Sequence, residues 1–180
     1  GCRDGGHGCW EARVDRCGNG YCGLGAGVSG RGWTAHCWLG LRGRLAAMSE
    51  EPDLVDHLCQ RILAKRVEER RRICASGGDA VFIDESIATA DVISVEHYER
   101  FALPYVTELV REIQRGGHRA ILVYYGAVMD RLDQIASIGA DGLIVETSMK
   151  GYVNDIGAIA DRIGQHMTLF ANIDPIGVLQ

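Results

Sequence analysis

From about residue 45 onward, short apolar runs alternate with longer segments that are apolar at every third or fourth position. Short apolar runs bounded by glycine or polar residues are typical of buried strands. Four such runs predict strands that begin near residues 80, 120, 143 and 167. The segments around them predict helices at about 53–75, 94–115, 129–138 and 154–163. This alternation predicts parallel β-α units with helices covering the sheet, arranged as a barrel or as an open sheet.

Local signals mark the ends of these helices. Ser49-Glu50-Glu51-Pro52 combines a capping hydroxyl, early acids and a proline in the first turn, so it predicts the start of helix 53–75. We expect that helix to bury Leu54, Leu58, Ile62 and Leu63. Pro104 is expected to kink or divide helix 94–115. Because each strand is continuous in apolar residues, we expect the strands to be buried on both faces.

The first 40 residues do not share this pattern. Residues 1–44 hold 13 of the 24 glycines, five of the seven cysteines and all three tryptophans. We find no sustained helical or strand period in residues 1–40 and predict an irregular Gly/Cys-rich segment there, disordered or translated out of frame. The predicted domain organisation is therefore 1–40 irregular and 41–180 a partial barrel.

Two patterns in this segment point to possible cofactor chemistry. Residues 18–23, Gly-Asn-Gly-Tyr-Cys-Gly, match the dinucleotide-binding fingerprint, but no apolar strand precedes them and no acid follows at the required distance. Seven Cys and His side chains could supply a zinc site: Cys2, His7, Cys9, Cys17, Cys22, His36 and Cys37. Their spacing is not the paired Cys-x-x-Cys of zinc ribbons. We therefore predict no metal site and no nucleotide site in this segment.

Composition and charge narrow the class of protein. The chain has 180 residues, 47% of them apolar, and a formal net charge of −5. These values suit one soluble globular domain and argue against nucleic acid as a partner. No run approaches the roughly 20 apolar residues of a membrane span. We expect a cytoplasmic protein with no membrane partner.

Polar side chains follow each predicted strand at its carboxyl end. In a parallel α/β fold these ends lie on one edge, where ligands bind. Carboxylates gathered there could act as general acids or bases, or could coordinate a hard cation. The candidate substrate-binding residues are Asp84, Glu85, Ser86, Tyr124, Glu146, Asn172 and Asp174.

Alternative structural roles remain open for some of these residues. Asn172 and Asp174 could equally cap the helix that follows the fourth strand. Tyr124 and Tyr125 alternate faces of a strand, so one of them could be a packing residue. Glu85 and Ser86 begin a loop of roughly nine residues, longer than the usual two to six. That loop is the stronger functional candidate.

Three motifs in order resemble the uroporphyrinogen decarboxylase superfamily. They are Asp84-Glu85-Ser86, Phe101-Ala102-Leu103-Pro104-Tyr105 and Ala171-Asn172-Ile173-Asp174-Pro175. The segment from Leu41 through Val55 is similar to the helix that precedes the family's core. The resemblance covers about residues 41–180. It implies a (β/α)8 barrel with a pocket at its carboxyl-terminal rim, of which this chain is about half.

The resemblance also implies a function. Family decarboxylases remove carboxylate from a tetrapyrrole polycarboxylate in porphyrin biosynthesis without a cofactor. Ser86 matches the family's substrate-contacting serine. In the family, arginines bind the substrate carboxylates, an aspartate binds the pyrrole N–H groups and a tyrosine assists. These residues precede the matched region, so the catalytic residues are not assigned. The expected partner is a small-molecule tetrapyrrole, with a homodimer expected of the full-length parent.

A second branch of the superfamily moves methyl groups between corrinoids and thiols. It uses zinc held by a His-x-Cys pair at a strand end, and the equivalent segment here, Tyr124-Tyr125-Gly126, lacks both ligands. A corrinoid-dependent methyltransferase or demethylase, acting on a corrinoid-linked substrate, remains the alternative function. An inactive barrel fragment is the third hypothesis.

Overall fold

The computed structural model describes residues 35–74, 78–146 and 151–170. Two helices come first, α1 (Ala35–Glu50) and α2 (Pro52–Cys74). The β-α units follow in this order: β1 (Ala80–Asp84), α3 (Val95–Phe101), α4 (Leu103–Arg115), β2 (Arg119–Tyr124), a 3-10 turn (Met129–Arg131), α5 (Leu132–Ile138), β3 (Gly142–Val145), α6 (Ile156–Ile163) and β4 (Thr168–Phe170).

The four strands form one parallel sheet in the order β1-β2-β3-β4. Val81 pairs with Ala120, Leu122 with Leu143, and Leu143 with Leu169. Sequential parallel neighbours joined by helices are the arrangement that the alternating pattern predicts. The prediction of parallel β-α units is confirmed, and each strand lies within about a residue of its predicted position.

The predicted helix over 94–115 is divided, as Pro104 indicates. Ser94 caps α3, its hydroxyl accepting a hydrogen bond from the His97 backbone N–H at 3.3 Å. The chain turns at Ala102, and α4 begins at Leu103 with Pro104 in its first turn. Proline fits there because the first backbone N–H groups of a helix have no partner within the helix.

One face of the sheet is covered by helices and forms the core. Val81, Ile83 and Leu122 are at most 4% exposed on this face. Side chains of α4, α5 and α6 pack against them: Val106, Val110, Ile113, Ile135, Ile159 and Ile163. Each fully buried aliphatic side chain stabilises the fold by about 1.5–3 kcal/mol.

The opposite face of the sheet is exposed at its two edge strands, β1 and β4, which corrects the expectation that every strand is buried on both faces. Phe82 is 42% exposed and Phe170 is 45% exposed. Ile121 and Ile144 lie between them in the register and are partly buried. We call these four residues the open sheet face. The continuous apolar runs predicted burial on both faces. Such side chains fill the interior of an eight-stranded barrel, but the described part of the chain holds four strands, which leave this face uncovered.

Helix α1 corrects a second expectation. It begins at Ala35, so residues 35–40 are helical although residues 1–40 were predicted to be irregular. The physical reason lies at its carboxyl end, where Ala47 and Met48 pack against Val55, Cys59 and Phe101. Tertiary packing therefore stabilises a helix that shows little periodicity of its own.

Two further expectations concern the amino-terminal half. Leu54 is 44% exposed, because α2 buries Val55 and Cys59 instead. The dinucleotide-like motif and the cysteines before residue 35 lie outside the described residues. The division of the chain near residue 40 stays a prediction. None of the helices in the described ranges is both long and apolar enough to cross a bilayer.

Candidate functional site

The carboxyl ends of β1, β2 and β3 and the loops that follow them lie along one edge of the sheet. We call this edge the rim; its described residues are Asp84 with loop 85–94, residues 124–128, Glu146, and residues 151–155. Five of the seven predicted substrate-binding residues lie here. Asn172 and Asp174, the other two, fall outside the described residues.

Strand alternation separates these five residues into two layers. Asp84 pairs with Val123, on the same face as Phe82, and Glu146 follows Val145 onto that face. Asp84, Ser86 and Glu146 are partly exposed. Glu85 is 2% exposed and Tyr124 is 0% exposed, on the side of the sheet covered by helices. The structure thus places Asp84, Ser86 and Glu146 at the surface of the rim and Glu85 and Tyr124 beneath it.

Asp84 and Ser86 form a local turn at the end of β1. The Ser86 backbone N–H donates to Asp84 Oδ1 at 2.9 Å, and the Ser86 hydroxyl donates to the same oxygen. Such an Asx turn holds the backbone without help from secondary structure. It fixes the hydroxyl and the carboxylate side by side, where both can contact a ligand.

Beneath this turn lies a buried pair of phenols. The hydroxyls of Tyr98 and Tyr124 are hydrogen-bonded at 2.8 Å. Burial raises the pKa of Tyr124 well above its ordinary value, and the neighbouring Tyr98 and the charge of Glu85 raise it further. Burial likewise raises the pKa of Tyr98. Both phenols therefore stay protonated at neutral pH and act as hydrogen-bonding and packing groups rather than as bases.

A phenol–carboxylate contact follows β3 at the rim. Tyr152 donates its hydroxyl hydrogen to Glu146 Oε2 at 2.5 Å. Burial raises the pKa of Tyr152, and the hydrogen bond to Glu146 and the charges of Glu146 and Asp91 raise it further. The Tyr152 phenol keeps its proton at neutral pH and orients the Glu146 carboxylate at the rim.

Hydrogen bonds join the three loops of the rim into one unit. The Ala90 backbone N–H donates to Ala127 O at 2.8 Å, and the Ala127 N–H donates to Asp91 Oδ1 at 2.9 Å. Asn154, which is 4% exposed, accepts from the Val128 N–H at 3.2 Å and donates to Glu146 O at 2.9 Å. Buried polar groups satisfied in this way make a site rigid.

Sequence reasoning missed Asp91, Tyr152 and Asn154 as parts of this site. They lie three or more residues beyond the strand ends, in segments whose polarity resembles that of any loop. Their partners are distant in sequence: Asn154 bonds Val128, and Asp91 bonds Ala127. The one sequence signal was the unusual length of the loop after β1. It indicated a functional loop but not which residues that loop contacts.

A cavity of about 630 Å³ lies at the other end of the sheet. Its walls include Arg119, Asp141, His166 and Phe170. Ligands of parallel barrels bind at the carboxyl ends of the strands, and this cavity lies at the amino ends. Its position at the amino ends of the strands separates it from the rim, so we do not take it as the candidate active site.

The rim offers carboxylates, a hydroxyl and protonated phenols, a set that can accept hydrogen bonds from N–H groups and donate them to oxygens. Across residues 35–74, 78–146 and 151–170, no three His, Cys, Asp or Glu side chains are grouped so as to hold a metal ion. The donors and acceptors of the described rim are suited to polar recognition of a ligand.

Four parallel β-α units with a polar carboxyl-end rim define a partial (β/α)8 barrel of the α/β class. A family model described as uroporphyrinogen decarboxylase (URO-D) matches residues 31–180. The chain belongs to the uroporphyrinogen decarboxylase family. The resemblance predicted from the three ordered motifs is confirmed.

Curated relatives carry the name uroporphyrinogen decarboxylase. The one from Alkalilimnicola ehrlichii is 26% identical over 133 residues, covering 72% of this chain and 34% of its own length. The one from Tolumonas auensis is 28% identical over 164 residues, covering 86% of this chain and 44% of its own length. The chain thus spans less than half the length of these relatives.

A solved structure agrees on the fold. A methyltransferase from Methanosarcina mazei superposes with a TM-score of 0.66 at 17% identity, covering 75% of this chain and 38% of that one. At this identity the match concerns the fold alone. It supports the partial barrel that the sheet order indicates.

Proposed function

We propose that the chain is part of a decarboxylase that acts on a tetrapyrrole polycarboxylate in porphyrin biosynthesis. The observation that carries this proposal is the family match over residues 31–180, together with the names of the curated relatives. Because the chain spans less than half of those relatives, the activity belongs to a longer protein. We assign this part of it a share of the substrate pocket.

The geometry of the rim suggests different roles for the seven candidates. Asp84, Ser86 and Glu146 are proposed to contact the substrate, because they lie at the rim and are partly exposed. Asn172 and Asp174 follow β4 and are proposed for the same edge. Glu85 and Tyr124 are buried, so we assign them to support from beneath.

Chemically, these groups suit a tetrapyrrole. Carboxylates at Asp84 and Glu146 can accept hydrogen bonds from pyrrole N–H groups, while the Ser86 hydroxyl can donate to a carboxylate arm. Cleavage of the C–C bond releases carbon dioxide and leaves the bonding electron pair on the former acetate methylene carbon. A proton from solvent then bonds to that carbon and gives a methyl group. Fixed polar groups around that centre lower the barrier because they need not reorganise during the reaction.

The test is turnover by the product of the complete gene. Oxidised porphyrin products are followed by fluorescence after incubation with uroporphyrinogen. Ser86→Ala is expected to raise KM by about tenfold, the value of one lost hydrogen bond to a charged group. Ser137→Ala, on the exposed side of α5, is the control and should leave KM unchanged. Methyl transfer without porphyrinogen turnover would contradict the proposal.

A corrinoid-dependent methyltransferase or demethylase is the second candidate, the alternative that the sequence resemblance leaves open. The strand end expected to hold zinc carries Tyr124-Tyr125-Gly126 rather than His and Cys. The residues present therefore do not fit the zinc-thiol chemistry, and we derive no step through a corrinoid. Transfer of methyl from methylcobalamin to a thiol, followed by absorbance, tests this candidate.

Further parts of the proposal follow from the family resemblance. We expect no cofactor for the decarboxylase, a corrinoid only for the alternative, a homodimer for the full-length parent and a cytoplasmic location. The third hypothesis is that this 180-residue chain is a barrel fragment with no activity of its own, and a cooperative melt of the isolated chain by circular dichroism would count against it. Sedimentation of the complete gene product and cell fractionation test the dimer and the location.

A further inference from the structure

Arg131 is a buried cation in the helical layer next to the rim. It ends the 3-10 turn after β2, and its side chain is 0% exposed. A guanidinium out of contact with water needs partners for its N–H groups. Two of those partners are backbone carbonyls of the loop after β1, and the third is the carboxylate of the neighbouring Asp130.

The guanidinium spans this loop near its two ends. Nη1 donates to Ala88 O at 2.8 Å, and Nη2 donates to Ile93 O at 2.8 Å. The same guanidinium lies over the ring of Tyr98, 5.0 Å from its centroid. Asp130 accepts from Nε at 2.9 Å and balances the charge. The planar fork of arginine can reach two carbonyls at once, whereas the single ammonium of lysine is a point charge.

The loop held in this way carries groups of the candidate site. Ser86 lies at its start, and Asp91 bonds the backbone of Ala127 across the rim. A Cβ added at Gly126 would lie 2.5 Å from Asp91 Oδ1 and 2.6 Å from Thr89 Oγ1, so the loop rests directly on the backbone after β2. Arg131 ties the loop to the helical layer, and residues 126–127 tie it to the next strand.

We propose that Arg131 is a positioning residue for the substrate site: it holds loop 85–94 so that Ser86 and Asp84 are arranged before a ligand arrives. The kinetic consequence, a change in KM, rests on the proposed function. The structural consequence, a change in hydrogen exchange of loop 85–94, does not. Prearranged groups bind a substrate without the cost of ordering a loop.

The structural consequence is tested by hydrogen–deuterium exchange on the 180-residue chain. Arg131→Lys is compared with Ile135→Val, a fully buried residue of α5, at temperatures equally far below each melting point. Exchange of peptides covering 85–94 is expected to rise about tenfold in Arg131→Lys alone, since two charged hydrogen bonds to the loop are lost. Peptides covering β2 should change equally in the two variants. Equal change at 85–94 in both variants would overturn the proposal. Arg131→Met, which also removes the positive charge, is compared with Ile135→Val by the same exchange measurement.

The kinetic consequence is tested on the complete gene product. Arg131→Lys is expected to raise KM by about tenfold, while Ile135→Val at matched stability leaves KM within about twofold. Equal KM changes in the two variants would overturn the positioning role even where porphyrinogen turnover is present. Absence of all turnover would count against the proposed function, and the exchange comparison would then decide the role of Arg131 by itself.

Discussion

Tyr124 and Tyr125 are neighbours in sequence but occupy different environments. Tyr124 is fully buried and bonds Tyr98, while Tyr125 is 45% exposed. Successive residues of a strand point to opposite faces, so one residue enters the helical layer and the next faces the rim. The sequence analysis left open which of the two is a packing residue, and the structure assigns that role to Tyr124.

This assignment makes the two tyrosines a matched pair for mutation. Tyr124→Phe is expected to lower the free energy of unfolding by about 1 kcal/mol, because the buried Tyr98 hydroxyl loses its partner. Tyr125→Phe is expected to change it by less than about 0.5 kcal/mol, as is usual for exposed sites. Urea denaturation measures both. A larger loss for Tyr125→Phe than for Tyr124→Phe would contradict the assignment.

Asp141, at the opposite end of the sheet, makes the free energy of unfolding depend on pH. Burial opposes ionisation of its carboxyl, but hydrogen bonds from the Ala120 N–H, Arg119 and Gln114 outweigh burial and lower its pKa below the ordinary 3.8. A lowered pKa in the folded state stabilises the fold above pH 3.8, and this contribution is lost as the pH falls through the folded value.

We therefore expect Asp141→Asn to be destabilised by about 1–3 kcal/mol at pH 7, the cost of hydrogen bonds to a charged group. The difference from the wild type should shrink as the pH falls below 4, about the ordinary pKa. Denaturation at pH 7 and pH 3 measures the difference. Ser137→Ala, at an exposed position of α5 that does not titrate, is the control and should show no such trend. A difference that stays constant between the two pH values would contradict this account.

At the scale of elements, the loop after β1 depends on the segment after β2. Gly126 is buried under Thr89 and Asp91, where a side chain has no room. The contact is made by backbone and short side chains, so it transmits position directly from β2 to the loop. This is why the β1 and β2 ends behave as one part of the rim.

Gly126→Ala tests the contact between these two elements. Its Cβ would lie 2.5–2.7 Å from atoms of Asp91 and Thr89, so the loop must move, at a cost of about 1–3 kcal/mol. Gly78→Ala is the matched control, because its Cβ would meet nothing closer than Ala80 O at 3.9 Å. Thermal denaturation measures the loss of stability in both variants. Equal losses would show that the contact between Gly126 and the loop has room for a side chain.

For the whole molecule, the open sheet face is the surface that the other strands of a closed barrel would cover. Phe82 and Phe170 expose 42% and 45% of their surface, and the chain spans less than half of its curated relatives. Eight strands close a barrel whose interior such side chains fill. We expect the remaining strands of a longer protein to cover this face.

Phe82→Asp tests that expectation by comparing two proteins. In the 180-residue chain its cost is expected to be about 1 kcal/mol, since the side chain is already partly exposed. In the complete gene product the cost should exceed about 3 kcal/mol, because a charge would be buried in the barrel. Leu54→Asp, 44% exposed on α2, is the control and should cost the same in both. Equal costs for Phe82→Asp would contradict the closed barrel.

Much of the fold could be predicted because its signals are local. The apolar runs of β1 to β4, the capping residue Ser94 and the division at Pro104 all depend on neighbours within a few residues. The family resemblance indicated a helix from Leu41 onward, but the first turns of α1, residues 35–40, were predicted to be irregular. Its carboxyl end packs against a cluster that includes Phe101, far along the chain, and local periodicity does not show such packing. The same holds for the site, where Arg131 meets Ala88 across 43 positions.

The sequence by itself determined the order of strands and helices, the family and the edge of the sheet where polar residues gather. These follow from the periodicity of side chains and from motifs of a few adjacent residues. Only the tertiary structure decided that Asp84, Ser86 and Glu146 lie at the rim while Glu85 and Tyr124 lie beneath it, and that Arg131 and Asn154 hold the loops. Those facts depend on register and on distant partners, because burial and hydrogen bonding are properties of the packed chain.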